Sequence, residues 1–338
     1  MVLYSVTRRW IYKHCDSFRL WIDDFTFAII GINFQIMRRM LIAGANGFIA
    51  RHLCEYFLQH DWEVIGLARQ SEGVPSGCRY VHWDGESLGD WVSELGKCEV
   101  LINLVGRSIN CRHTEENKRQ ILSSRVNSTK LLGKAIHACD DPPELWINGS
   151  AAGIYEATRE QAHGETGKQG SGFIAEVVKE WEEAFFSAEI PSAVRRVALR
   201  TTMVFADEPG NPYRILHSLA KWGLGGRVGN GKQMVSWIHI EDVVRAIAFI
   251  ISYNDVFGPI NLSAPGAMSN SEMMRRFRKS AGMPIGIPAP ALGVRVGAYL
   301  MGTAPELVLD SSWVDPAALR DAGFEFDHPE LIPGEWSG

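Results

Sequence analysis

The sequence predicts an α/β fold, a doubly wound parallel sheet with helices on both faces. Three observations carry this. Strand-like apolar runs alternate with helix-like segments from residue 40 to about residue 200. A glycine-rich turn joins the first run to the first helix. After Thr201 the alternation gives way to a different rhythm, marking a small C-terminal lobe. A strand can return parallel to its neighbour only over a long connection, so this alternation implies crossover helices packed on a parallel sheet.

Met40–Ala43 is the first apolar run, followed by Gly44-Ala45-Asn46-Gly47-Phe48-Ile49-Ala50. Arg51–Gln59 then places Leu53, Tyr56 and Phe57 at helical spacing. Glu63–Ala68 reads as a second strand ending at Arg69, and Val100–Leu104 as a third, followed by Val105-Gly106. Glu115–Ala138 reads as a long helix with Ile121, Leu122, Val126, Leu131, Leu132 and Ile136 facing inward. Beyond the Pro142-Pro143 breaker come a strand at Leu145–Asn148, a helix at Ile174–Ala188 and a strand at Ala193–Leu199. Residues 207–231 are rich in Gly and Pro and include Gly223-Leu224-Gly225-Gly226. A helix at Asp242–Ile251, a strand at Pro259–Leu262, a helix around Ser271–Ala281 and a Pro-rich stretch at 284–290 complete the chain's pattern.

A length of 338 residues allows two domains, or one large domain with an added lobe. With 34 Lys and Arg against 39 Asp and Glu, the net charge of -5 argues against a protein built to grip nucleic acid. Cys15, Cys54, Cys78, Cys98, Cys111 and Cys139 form no C-x-x-C pair, so reduced thiols in a cytoplasmic protein are expected, and no metal. Phe25–Phe34 is only about half of the ~20 apolar residues a membrane span needs, and no secretory cleavage pattern comes after it. Arg8, Arg9, Lys13 and Arg19 give the first twenty residues a weak transit-peptide bias. Residues 1–36 look foreign to the rest of the chain. Because Met37 and Met40 are both suitable start codons, this stretch reads as an N-terminal extension or as a gene-start artefact.

The motif Gly44-x-x-Gly47-x-x-Ala50 points to a dinucleotide. Gly44 permits a tight turn, Gly47 lets the backbone approach a pyrophosphate, and the small Ala50 allows helix and strand to pack closely. The helix start then offers unpaired N–H groups and the positive end of its dipole to the phosphates. An acidic residue at the end of the second strand would bind a ribose 2′-hydroxyl and select NAD. Ala68-Arg69 stands there instead. A guanidinium pairs with a 2′-phosphate, so NADP is expected over NAD.

The glycine motif with Phe48-Ile49, the strand end Asn103-Leu104-Val105-Gly106 and the segment Gly149-Ser150-Ala151-Ala152-Gly153-Ile154-Tyr155 resemble the extended short-chain dehydrogenase/reductase superfamily. More narrowly, the chain resembles its atypical, nucleotide-sugar-epimerase-like "epimerase family". Supporting segments are Ser124-Arg125-Val126-Asn127-Ser128-Thr129, Leu199-Arg200-Thr201, Gly223-Leu224-Gly225-Gly226, Gly229-Asn230-Gly231, Ser236-Trp237-Ile238-His239-Ile240-Glu241-Asp242 and Ala322-Gly323-Phe324. They stand in the family's order from residue 40 onward.

The resemblance implies a Rossmann sheet of about seven strands: residues 37–205 as the NAD(P)-binding domain, and 206–338 as a C-terminal lobe interleaved with the sheet at about 235–263. It implies that Asn46, Phe48, Ile49, Leu104 and Val105 lie against the cofactor, and that Gln120 and Arg125 match cofactor-facing positions, unless both are solvated. Asp84 reads either as an adenine contact or as a turn residue. Members of the superfamily often pair through two long helices, here Glu115–Ala138 and Ile174–Ala188, which suggests a homodimer.

The superfamily moves a proton with a Ser or Thr and a Tyr-x-x-x-Lys pair. At the corresponding segment this chain has Phe173 at the Tyr position and Val177 at the Lys position, and Ala151 at the usual Ser position beside Ser150. Neither Phe nor Val can carry a proton. The substitute catalytic candidates are Tyr155 and Ser150; His239 reads as structural rather than as a base, and Lys168 and Lys179 as solvated. The expected function is that of an NADP(H)-binding, epimerase-like oxidoreductase acting on a nucleotide sugar or other small carbonyl compound. One alternative is a catalytically weak NADP(H) sensor or scaffold; another is a partner-binding role centred on residues 284–304.

Overall fold

In the computed structural model, residues 37–294 and 309–336 are described. The expectations for residues 1–36, and for residues 295–304 of the partner-binding segment, lie outside them. The first half of the described chain runs β1 (Arg39–Ala43), α1 (Phe48–Gln59), β2 (Glu63–Ala68), β3 (Arg79–His82), α2 (Val92–Leu95), β4 (Val100–Asn103), α3 (Glu115–His137), β5 (Leu145–Ala151), α4 (Phe173–Phe186) and β6 (Arg195–Thr201). It continues with β7 (Met203–Phe205), α5 (Pro212–Lys221), β8 (Met234–Val235), β9 (Trp237–His239), α6 (Ile240–Ser252), β10 (Gly258–Leu262), β11 (Met268–Ser269), α7 (Asn270–Ser280) and α8 (Ala317–Asp321).

Seven strands form one sheet in the order β10-β6-β5-β4-β1-β2-β3, and every pairing in it is parallel. The chain order reverses between β1 and β4, which opens a crevice at the C-terminal ends of those strands. Alternate residues of each strand face opposite helical layers. Met40 and Ile42 pack with Leu53 and Phe57 of α1 and Val243 and Ile247 of α6. Leu41 and Ile65 face the other way, toward Leu132 of α3 and Phe185 of α4. Both faces are covered, so the strands read as near-continuous apolar runs. A further buried cluster, with Phe205, Tyr213, Trp237, Met274 and Phe277, lies among the elements after β6.

Several boundaries differ from the expectation. Helix α1 begins at Phe48 rather than Arg51, because extended Gly47 is its N-cap. Strand β5 continues to Ala151, since Gly149, Ser150 and Ala151 pair with Leu199, Arg200 and Thr201 of β6. Strand β4 ends at Asn103, one residue early. Helix α5 lies inside the Gly- and Pro-rich stretch: the Asn211 side chain accepts from Tyr213 N–H at 3.0 Å and Pro212 takes the first turn, where its missing N–H costs nothing. Edge strand β3 has polar, exposed ends and no apolar run to reveal it.

Candidate functional site

The crevice is built around the β1–α1 turn. Gly44 has φ +81°, and a Cβ there would sit 3.2 Å from the Leu104 carbonyl carbon and 3.3 Å from Val105 N. The N–H groups of Gly44 and Ala45 both donate to Leu67 O, at 2.9 and 3.2 Å, tying the turn to the end of β2. A Cβ on Gly47 would meet Gly44 O at 3.1 Å. Helix α1 starts with no side-chain cap and no acidic residue in its first turn. Its leading N–H groups have no intrahelical acceptors, and the dipole adds positive potential, so this start suits an anion. A dinucleotide pyrophosphate fits this cradle by backbone clearance and by donor chemistry alike.

Around the cradle, Asn46 is exposed and lies beneath Gly73, where a Cβ would approach Asn46 Cβ at 3.4 Å. Phe48 stands edge-on to His52, with ring centroids 5.3 Å apart, and Ile49 is half-buried beside it. Ala68 is buried at the end of β2, while Arg69 next to it is exposed and makes no ion pair or side-chain hydrogen bond with the described residues. Asp84 is a turn residue here: it accepts from Glu86 N–H at 2.8 Å, Ser87 N–H at 2.9 Å and Ser87 Oγ at 2.5 Å. Those bonds, the Ser87 hydroxyl first, hold its carboxyl down at about 2.

Leu104 and Val105 continue from β4 over the glycine turn. Leu104 N–H donates to Ala43 O at 2.9 Å, and Val105 N–H to Asn103 Oδ1 at 3.2 Å. Asn103 is fixed in turn by Asn148 Oδ1 at 2.7 Å and Thr129 Oγ1 at 3.2 Å. Arg125 lies behind this segment. Its Nη1 donates to Arg107 O and Ile121 O, both at 2.9 Å, and its guanidinium covers the Trp181 ring at 5.2 Å. No carboxylate among the described residues pairs with it, and burial pushes its pKa down to about 10. A Cβ on Gly106 would be 3.1 Å from Arg125 Cζ, so glycine is what admits the guanidinium. Gln120 accepts from Arg107 and donates to Glu116. Arg125 and Gln120 thus brace the loop beyond Val105.

Tyr155 and Ser150 are brought together, in a buried polar network. Arg200 on β6 forks onto Glu182 of α4, Nε to Oε1 at 2.8 Å and Nη2 to Oε2 at 2.7 Å. Ser150 Oγ donates to Glu182 Oε1 at 2.6 Å. The Tyr155 hydroxyl donates to Asn261 Oδ1 at 2.7 Å and accepts from Arg200 Nη1 at 2.9 Å. Burial, against the pull of Arg200, holds the phenol above its ordinary pKa. Both hydroxyl protons are committed to acceptors inside the protein. Glu182, Arg200 and Asn261 were not expected from the sequence, although a charged residue directly after the apolar run Val197–Leu199 is a readable sign of a buried partner.

Phe173 opens α4, and Val177 is buried in it. Two titratable groups flank Phe173: the His113 ring stands edge-on, centroids 5.0 Å apart, and Lys118 Nζ lies 5.6 Å above the ring. Neither carries a signal in the sequence. They come from the β4–α3 loop and the start of α3, and only the tertiary fold brings them to Phe173. Lys179 pairs with Glu176 at 2.9 Å and Lys168 with Glu156 at 2.7 Å. His239 is buried and is the N-cap of α6.

The comparisons with known proteins agree with this geometry. The model of the "NAD dependent epimerase/dehydratase family" matches residues 40–262, and that of a "domain of unknown function (DUF1731)" matches residues 289–333. An epimerase family protein of Mycobacterium leprae is 33% identical over 288 residues, covering 85% of this chain and 91% of its own. The human epimerase family protein SDR39U1, whose crystal structure was solved with NADPH, superposes with a TM-score of 0.76 at 28% identity, over 86% of this chain and 96% of that one. A nucleoside-diphosphate sugar epimerase of Corynebacterium glutamicum gives a TM-score of 0.69 at 27% identity, over 87% of this chain and 56% of that one. With a parallel seven-stranded sheet, a dinucleotide cradle at its reversal point and a family match over most of its length, this chain belongs to the NAD-dependent epimerase/dehydratase family.

Proposed function

We propose that the protein is an NADPH-preferring, epimerase-like oxidoreductase of the atypical extended short-chain dehydrogenase/reductase type, acting in the cytoplasm on a nucleotide sugar or another small carbonyl compound. The observation that carries the cofactor choice is Arg69, exposed and unpaired among the described residues at the end of β2, where an acidic residue would favour NAD. The NADPH in the human relative supports the same reading. The dinucleotide supplies a hydride; the protein supplies position and a proton. Gly44, Gly47 and the start of α1 take the pyrophosphate, while Leu104, Val105 and the loop braced by Arg125 and Gln120 form the adjoining wall.

His113 is the proton carrier in this proposal, because it and Lys118 both contact the ring of Phe173, where the superfamily's tyrosine stands. His113 Nε2 lies 3.1 Å from Ile109 O and Lys118 Nζ 2.9 Å from Glu115 Oε1, but both side chains are only half-buried. Tyr155 and Ser150, by contrast, are buried with their hydroxyls engaged by Asn261, Arg200 and Glu182, and serve better as scaffold. Among the described residues, no helix is long and apolar enough to cross a membrane. Pairing of two copies through α3 and α4 belongs to this proposal as well.

Transfer of label from deuterated NADPH to a pool of sugar nucleotides and small carbonyl compounds tests it. A labelled product supports an oxidoreductase. Tight NADPH binding with no transfer to any component favours the second reading, a sensor or scaffold, which the residues Phe173 and Val177 motivate.

A further inference from the structure

We infer that His239, Glu241 and His328 form a zinc site that fastens the C-terminal segment to the start of α6. Their donor atoms all lie within 4.8 Å of one another. Glu241 Oε2 is 2.8 Å from His328 Nε2 and 3.7 Å from His239 Nδ1. A zinc ion with bonds of about 2.0–2.2 Å to nitrogen and oxygen sets its ligands about 3.3 Å apart. The two separations, 2.8 and 3.7 Å, bracket that spacing. Two imidazoles and one carboxylate suit zinc, and leave a fourth position open. Calcium and magnesium take oxygen donors instead.

A hydrogen bond between His328 and Glu241 does not by itself explain the cluster. The His239 side chain is only 7% exposed, and its Nδ1 accepts from Glu241 N–H at a long 3.4 Å. The two imidazole rings lie 3.9 Å apart, centroid to centroid, so both present their nitrogens to one small volume.

The surroundings hold the donors in place. Fully buried Asp242 accepts from the backbone N–H groups of Asp327 and His328, at 2.8 and 2.9 Å. Trp336 packs on His239 with centroids 4.6 Å apart. Glu241 is 66% exposed, so water and ions reach the site. His239 and Glu241 come from the segment matched by the epimerase model, while His328 comes from the segment matched by DUF1731. A zinc ion here ties two separately recognisable parts of the chain together. Cysteine spacing could not signal this site, because its ligands are His and Glu, and Glu241 and His328 lie 87 residues apart.

The test is direct. The full chain is stripped with a chelator, dialysed against micromolar zinc chloride and assayed for metal. The expected result is one zinc per chain, with cobalt in its place giving visible d–d bands, and an unfolding temperature that rises with zinc. His328→Ala and Glu241→Gln each lower zinc affinity by more than the roughly 10–100-fold that outer-shell partners cost, and remove the zinc-dependent rise. Circular dichroism checks that each variant folds, and Glu241→Gln, at a largely exposed side chain, keeps the test open if His328→Ala does not. A wild-type protein that retains no zinc, or folded variants that retain as much as wild type, overturns the site.

Discussion

The Tyr155 hydroxyl is held by Arg200, whose Nη1 donates to it at 2.9 Å while the rest of the guanidinium forks onto Glu182. This contact joins the segment after β5 to β6, and through Asn261 it also reaches β10. Tyr155→Phe removes an acceptor from a buried guanidinium and a donor from buried Asn261. It should cost about 1–3 kcal/mol of stability, read by urea unfolding, and leave NADPH affinity unchanged. A variant as stable as wild type that loses turnover would return Tyr155 to the role of acid.

Glu182→Gln should be more damaging. It leaves Arg200, 6% exposed, without its counter-charge, and breaking a buried pair from one side costs about 3–5 kcal/mol. Replacing both partners by methionine should recover most of that loss, because both desolvation penalties disappear together. Unfolding of the single and double variants measures the difference.

Gly44→Ala should fail for two separable reasons. An alanine at φ +81° carries about 1–2 kcal/mol of left-handed strain, and its Cβ presses on the Leu104–Val105 backbone. Gly258 has φ +78° with nothing within 4 Å of an added Cβ, so Gly258→Ala is the control. Both variants should lose stability by the strain energy, Gly44→Ala should lose further stability through the backbone contact, and only Gly44→Ala should lose NADPH binding, measured by nucleotide fluorescence.

His113→Phe tests the proposed proton carrier. Hydride transfer to whichever carbonyl compound accepts label should fall by about 10²–10⁴-fold, with NADPH affinity unchanged. A variant that transfers label at the wild-type rate would remove His113 from the chemistry.

Much of this molecule is legible in sequence because its signals are local. The Gly44–Ala50 turn, the apolar runs of β1, β2, β4 and β5, and the periodic face of α3 each lie within a few consecutive residues. Helix α5 is hidden because glycines and prolines around it outweigh the Asn211-Pro212 start signal. The site divides in the same way. Gly44 and Arg69 are read from strand and turn position alone, whereas the partners of Tyr155 lie 45 and 106 residues away. Arg125 matches a cofactor-facing position, but its guanidinium turns to Arg107 O and Trp181, a direction that only packing decides. The His113–Phe173 and His239–His328 contacts join residues with no local pattern between them.

In this proposal the uncapped start of α1 holds the pyrophosphate common to NADPH and NADH, and Arg69 selects NADPH. Fluorescence titration with NADPH and with NADH, on wild type and on Arg69→Glu, tests it most directly. Wild type should bind NADPH at least about tenfold more tightly than NADH. Arg69→Glu should weaken NADPH binding by about 10–100-fold, the value of a charge-assisted contact, and leave NADH binding as tight as before or tighter. Equal affinities in wild type, or a preference that survives Arg69→Glu, would show that Arg69 does not read the 2′-phosphate.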